Sequence, residues 1–302
     1  MEASVQPSPL RPSPLVWGLT ILLAILSPID PALAQDQGSI NAEGADTPAR
    51  SDDPDDLAAT VELYGFLPSL DATTTVRGFE VDTHLSPQQI LDQLRSTFSA
   101  RASVEKGRLG LLLDVSYNQL GTELSRTTRR GLFTGKAEIN AINGFYDLAA
   151  RWRLGNREQA FGSPGQGWLI PYAGMRLVEA SLDVQAEVRG NPNVPLIRRI
   201  RLARQGTLER TWAQPLLGLE GSVFVAPRLR LFARGDVAGF GLAGEQDFSA
   251  NAQAGVGYAI GNNTDLNLSW RYRSLLYNNG AERANGYASD ENGLELGLKF
   301  FF

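Results

Sequence analysis

Beyond Ala59, apolar residues return at every second position through most of the chain, the period of an extended strand whose side chains point alternately to two faces. In the final stretch Leu294, Leu296, Leu298, Phe300 and Phe302 share one face, and Glu295, Gly297, Lys299 and Phe301 the other. Leu229, Leu231, Ala233, Gly235 and Val237 alternate in the same way with Arg230, Phe232, Arg234, Asp236 and Ala238. Leu266, Leu268, Trp270 and Tyr272 alternate with Asp265, Asn267, Ser269, Arg271 and Arg273. Tyr146, Leu148, Ala150, Trp152 and Leu154 alternate with Phe145, Asp147, Ala149, Arg151 and Arg153. No heptad and no longer repeat runs through the chain, which excludes coiled coils and solenoids.

The pattern predicts strands over 59–68, 97–106, 108–120, 137–154, 168–180, 208–226, 228–240, 249–260, 264–276 and 293–302. Short links such as Lys106-Gly107, Ala226-Pro227-Arg228 and Gly261-Asn262-Asn263 alternate with long polar ones near 70–96, 121–136, 180–207, 241–248 and 279–292. The link at 155–167 has to be a long one on the short-turn side. Eight or twelve strands stay open as counts, because 180–207 can be divided differently. Alternating link length around antiparallel strands is the asymmetry of an up-and-down transmembrane β-barrel with both termini on the short-turn side.

The amino end reads as a processing signal. Leu15 to Leu26 is apolar apart from Gly18 and Thr20, follows Arg11, and is succeeded by Ala32-Leu33-Ala34, a small-residue cleavage pattern. The run is too short to span a bilayer as a helix, which takes roughly 20 apolar residues. The expected organisation is therefore a signal peptide over 1–34, an acidic disordered leader over 35–58 and a barrel over 59–302. With no cysteine, a disulfide framework is excluded, and a closed barrel has to supply the stability instead. Losing Glu2, Arg11 and Asp30 with the signal moves the formal charge from −5 to −4, a balance that gives no argument for nucleic acid.

The alternating stretch ending at Phe302, together with the signal peptide, resembles the closing strand of small outer-membrane β-barrels, the porin-like and OmpA/OmpW-like superfamily. That resemblance implies an outer-membrane location and folding by the barrel assembly machinery. It also implies a structural, adhesive or minor transport role, without carrying over any functional residue. Leu294, Leu296, Leu298, Phe300 and Phe302 are then the assembly signal, docking by strand addition. Changing Phe300 and Phe302 to Ser is expected to leave misassembled protein in the periplasm; normal levels of heat-modifiable protein in the outer membrane would refute that role.

Aromatic residues are expected to form two belts, Trp152, Trp168, Tyr258 and Phe302 at the periplasmic interface and Tyr64, Phe66, Tyr117 and Trp212 at the outer one. The face turned from lipid collects acids Glu105, Asp114, Asp147, Glu220, Asp236, Asp265 and Glu295. Its bases are Arg101, Arg151, Arg153, Arg176, Arg230, Arg234, Arg271, Arg273 and Lys299. In a lumen this narrow such charges have to pair, so a salt-bridged interior is expected. The alternative is a constricted, slightly cationic pore that selects anions.

Catalysis finds little support. His84 is the one histidine, preceding a short helix over Ser86–Leu94 with Ser86 at its N-cap and Pro87 in its first turn. Asp82 and Ser86 flank it without the further groups that a barrel protease, acyltransferase or phospholipase needs. One histidine without cysteine gives no transition-metal site, and no cofactor is expected. Two outer loops are basic, one with Arg126, Arg129, Arg130 and Lys136, the other with Arg189, Arg198, Arg199, Arg201 and Arg204. They are suited to lipopolysaccharide phosphates, or are solvated hairpins, since Val184, Ala186 and Val188 continue the strand pattern.

Overall fold

A computed structural model describes residues 56–76, 79–128, 133–190, 201–281 and 286–302. The elements in chain order are β1 (Leu57–Val76), β2 (Phe79–Leu85), α1 (Pro87–Gln93), β3 (Leu94–Lys106), β4 (Leu109–Thr127) and β5 (Phe133–Trp152). Then come β6 (Leu154–Gly155), β7 (Gly167–Gly190), β8 (Arg201–Ala226), β9 (Leu229–Ala238), β10 (Gln246–Ala259), β11 (Thr264–Asn278) and β12 (Gly286–Phe301). β1, β3–β5 and β7–β12 pair antiparallel with their neighbours, and β12 pairs back onto β1 from Phe301↔Thr60 to Gly286↔Thr75, closing a ten-stranded barrel. Closure leaves no free sheet edge around most of the wall, the condition for strands to stand in hydrocarbon. No helix among the described residues is long and apolar enough to cross a membrane.

The outside of the barrel is the apolar face. Leu63, Leu111, Leu148, Leu217, Leu231, Leu268, Trp270, Leu294 and Leu296 all stand exposed there. A band of that extent would be an aggregation patch in water and is what lipid requires. The inside is polar, with Asp114, Asp147, Arg176, Arg234, Asp265 and Glu295 all buried.

Several expected boundaries move, in one direction. The long outer links are mostly strand rather than loop: β4 and β5 stay paired to Thr127↔Thr134, and β7 and β8 to Arg189↔Arg201. Polar residues on both faces hide the two-residue period, but antiparallel hairpins pair equally well in water. The first outer link adds β2, which pairs with the upper part of β1 from Leu70↔Leu85 to Val76↔Phe79. The helix over 87–93 forms as expected, with Ser86 Oγ accepting from Gln89 N and Gln89 reaching back to the Ser86 amide at 2.8 Å.

The aromatic belts are only partly found. Trp152, Tyr258 and Phe302 do stand exposed at the short-turn end. Trp168, Tyr64 and Trp212 are buried instead, and Phe66 lies in the lumen beneath two guanidinium groups. Tyr117 keeps an outward position on β4 but is covered by its neighbours. Where both faces of a strand carry rings, period two cannot say which face is wet; the arginines inside decide it.

Candidate functional site

The lumen is bridged by arginine. Arg234 on β9 donates to Asp114 on β4 at 2.8 Å, nearly opposite across the barrel, and to the Tyr172 hydroxyl at 2.7 Å. Tyr172 in turn donates to Asp236 at 3.0 Å. Arg176 holds Asp147 through two bonds of 2.7 and 2.8 Å and Asp236 at 2.7 Å. Asp114 also accepts from Arg101 at 2.9 Å and from Tyr64 at 2.7 Å. These bonds join β1, β3, β4, β5, β7 and β9 into one layer of forked guanidinium–carboxylate contacts, the planar geometry that arginine supplies and lysine does not.

A second set runs around β1, β9, β10, β11 and β12. Arg271 donates to Glu295 at 2.7 Å and Asn251 at 2.6 Å, while its guanidinium lies 5.5 Å from the centre of the Tyr64 ring. Arg230 donates to Asp265 at 2.8 Å and to Asn267 at 2.9 Å, and Asn267 passes the chain on to Glu62 at 2.6 Å. Arg273 approaches Glu291 at 3.6 Å and stacks over Phe145.

The mouth at the short-turn end is filled by the long link after β6. Its Glu158 is buried, accepting from Arg151 and, at 2.6 Å, from Lys299. Arg153 holds Glu105 at 2.9 Å and the carbonyls of Gly107 and Gly155. Ala160 and Phe161 of the same link pack on Ala259 and Phe301. Gly162 lies where any Cβ would strike the Phe224 ring at 2.4 Å, so the inward fold of the link needs glycine there.

All sixteen lumen residues expected from the sequence face inward. Glu220 is the loosest, 3.9 Å from Lys299. Four acids were missed: Glu62, Glu158, Asp247 and Glu291, all buried. Asp247 and Glu291 sit on strand extensions that read as loop, and Glu158 on a link with no period at all. Glu62 was legible, alternating with outward Val61 and Leu63. With these acids and Arg157 included, the lining among the described residues is close to neutral, without the slight positive excess that the alternative pore reading assumed.

Above the charged layer the lumen changes character. An apolar chamber of about 490 Å³ is walled by Phe66, Leu70, Leu120, Leu182, Trp212 and Tyr277, with Ile90, Leu91 and Leu94 along one side. Asp247 pins the loop that follows β9 beside it, accepting from Trp212 Nε1 at 3.0 Å, Gln214 at 2.6 Å and the Ala243 amide at 3.1 Å.

His84 pairs with Asp71 at 2.5 Å on the exposed β1–β2 hairpin, away from the buried charge. Asp82 accepts from Thr73, and Ser86 caps the helix. Among the described residues no cluster of His, Asp or Glu is gathered for a metal ion. Of the basic outer residues, Lys136 and Arg189 are exposed, Arg189 holding Glu187 at 2.8 Å. Arg129, Arg130, Arg198 and Arg199 lie outside the described residues, as do the side chains of Arg126, Arg201 and Arg204.

No protein-family model and no curated protein matches the chain in sequence. Among solved structures it is similar to the outer membrane protease OmpT from Escherichia coli, at 11% identity and a TM-score of 0.51, covering 83% of this chain and 98% of that one. The attachment invasion locus protein Ail of Yersinia pestis (10% identity, TM-score 0.27, 82% and 99% covered) and Neisserial surface protein A (14%, 0.25, 81% and 96%) are also matched. At 11% identity the likeness to OmpT speaks for the fold alone, a closed antiparallel β-barrel of the outer-membrane type.

Proposed function

We propose that this outer-membrane barrel is a sealed structural scaffold that presents its long hairpins to the outside, rather than a pore. The reading rests chiefly on one observation: the Arg234–Asp114 bond crosses the lumen between two side chains exposed by only 2% and 6%. An ion would have to break that contact, with Arg176 and Asp236 beside it, and each buried charge so orphaned is costly. Purified barrel in a planar bilayer is therefore expected to give no conductance above the lipid background. Discrete channels from the wild-type protein would favour the narrow-pore alternative.

In this reading residues 1–34 direct export and are removed, and the assembly machinery engages the β12 face. The basic hairpin tips, with Lys136 and Arg189 among them, meet lipopolysaccharide phosphates at the outer surface. In this reading the protein is not an enzyme: His84 is held in an exposed ion pair, and Asp114, Asp147, Asp236, Asp265 and Glu295 are each paired with arginine rather than poised for proton transfer.

A further inference from the structure

Strand β1 changes partner along one edge. From Leu57 to Leu63 it is laddered to β3, ending at Leu63↔Ala100, and from Leu70 to Val76 it is laddered to β2. Tyr64 to Ser69 are paired with β12 on the other side, from Tyr64↔Gly297 to Ser69↔Asn292, but have no ladder partner on this one. The wall of the barrel is thus interrupted between β1 and β3.

Helix α1 stands at the interruption, joining the end of β2 to the start of β3 and touching β1, β2 and β4. A seven-residue helix turns its hydrogen-bonding groups along its own axis and into its caps, so it offers no ladder to replace the missing one; it covers the gap with side chains. Ile90 is buried and Leu91 is half exposed. The register slip between Leu94 and Ser96 on β3 marks where the chain turns from helix back into wall.

The apolar chamber lies directly behind this gap, lined by Gly65, Phe66, Leu67 and Pro68 of the unladdered stretch and by Ile90, Leu91 and Leu94. Leu63, immediately below the gap, is exposed on the lipid face, so the interruption begins at membrane depth. Of the charges bordering the chamber, Glu291 and Arg210 are already engaged, and Glu209 is exposed. Glu291 accepts from Asn143 at 3.3 Å and faces Arg273, and the Arg210 guanidinium lies 4.5 Å over the Tyr277 ring. The wall is mainly apolar, with a minority of polar groups that include the buried Asn143 Oδ1 and the Tyr277 hydroxyl, so a long apolar ligand fits it better than an ion.

We propose that the chamber takes one hydrocarbon chain of an outer-leaflet lipid, inserted sideways between β1 and β3 past α1, while the headgroup stays at the membrane surface. The chain would contact Phe66, Leu120, Leu182 and Trp212 and stop at the charged layer below. Its gain is the packing contact and the water expelled from the chamber, which falls in the size range of ligand pockets. This occupant is independent of whether the charged lumen conducts.

Trp212 in the chamber wall supplies the probe. The full barrel carrying Trp152→Phe, Trp168→Phe and Trp270→Phe is reconstituted in vesicles of phosphatidylcholine brominated in mid-chain, which quenches indole by contact. Trp212 is expected to lose most of its emission to the bromolipid and little to acrylamide added from water. Filling the chamber with Ala141→Phe is expected to abolish the bromolipid quenching while circular dichroism and heat-modifiable migration stay unchanged. Ala180→Phe on the neighbouring strand makes the same test if Ala141→Phe does not fold. Absence of bromolipid quenching, quenching that survives both fillings, or strong quenching from the aqueous side would each overturn the proposal.

Discussion

Replacing Asp236 by Ala is expected to cost the refolded barrel about 3–5 kcal/mol of unfolding free energy, the scale set by breaking a buried charge pair from one side. Asp236 accepts from Arg176 at 2.7 Å, Tyr172 at 3.0 Å and Asn251 at 2.9 Å, with Arg234 3.7 Å away. Its loss leaves two buried guanidinium groups sharing fewer carboxylates, and neither can shed its proton. Replacing Arg176 by Met alone orphans Asp147 in the same way. The double variant, however, removes one charge of each sign and is expected to lose clearly less than the two single losses added together. Urea titration of the four proteins in lipid vesicles measures the coupling, which neighbours in one network should show. Strict additivity would mean that the lumen is hydrated enough for each charge to find water, and with it the sealed-scaffold reading would fall.

A cysteine at Arg189 is expected to react completely with a membrane-impermeant maleimide on intact cells, and one at Asn262 only after the outer membrane is permeabilised. The chain has no cysteine of its own, so each label is unambiguous. The asymmetry follows from strand length. β7 has 24 residues and β8 has 26, whereas a tilted strand crosses the membrane in about 9–11. The surplus has to project from the side opposite the tight links, where β10 and β11 are joined by 260–263. Arg189 is exposed near the tip of that projection. Labelling in the reverse pattern would invert the barrel and place the basic hairpins in the periplasm, away from any lipopolysaccharide.

The bonded layers and the sealed mouth depend on contacts between residues far apart in the chain, and this divides what could be read from what could not. Alternation of Leu, Trp and Tyr with Arg, Asp and Asn was enough to determine a β-barrel, its lipid face and sixteen inward charges, and it pointed to ten strands while leaving eight or twelve open. Each of those statements needs only the direction of a side chain relative to its neighbours two positions away. The sequence could not determine which arginine meets which carboxylate. Arg234 and Asp114 are separated by 120 positions and meet only because closure sets β9 across from β4. The same limit explains Tyr64 and Phe66, whose rings suit an interface belt but serve as faces for Arg271. Glu158 shows it most plainly: its link carries no period, so nothing local says that it folds inward. Its burial is decided by Arg151 and Lys299, two cations brought to the short-turn mouth by the closed barrel and needing an anion there. The break between β1 and β3 is likewise a property of the closed wall, because a missing ladder exists only between strands and leaves no mark on either strand's own pattern.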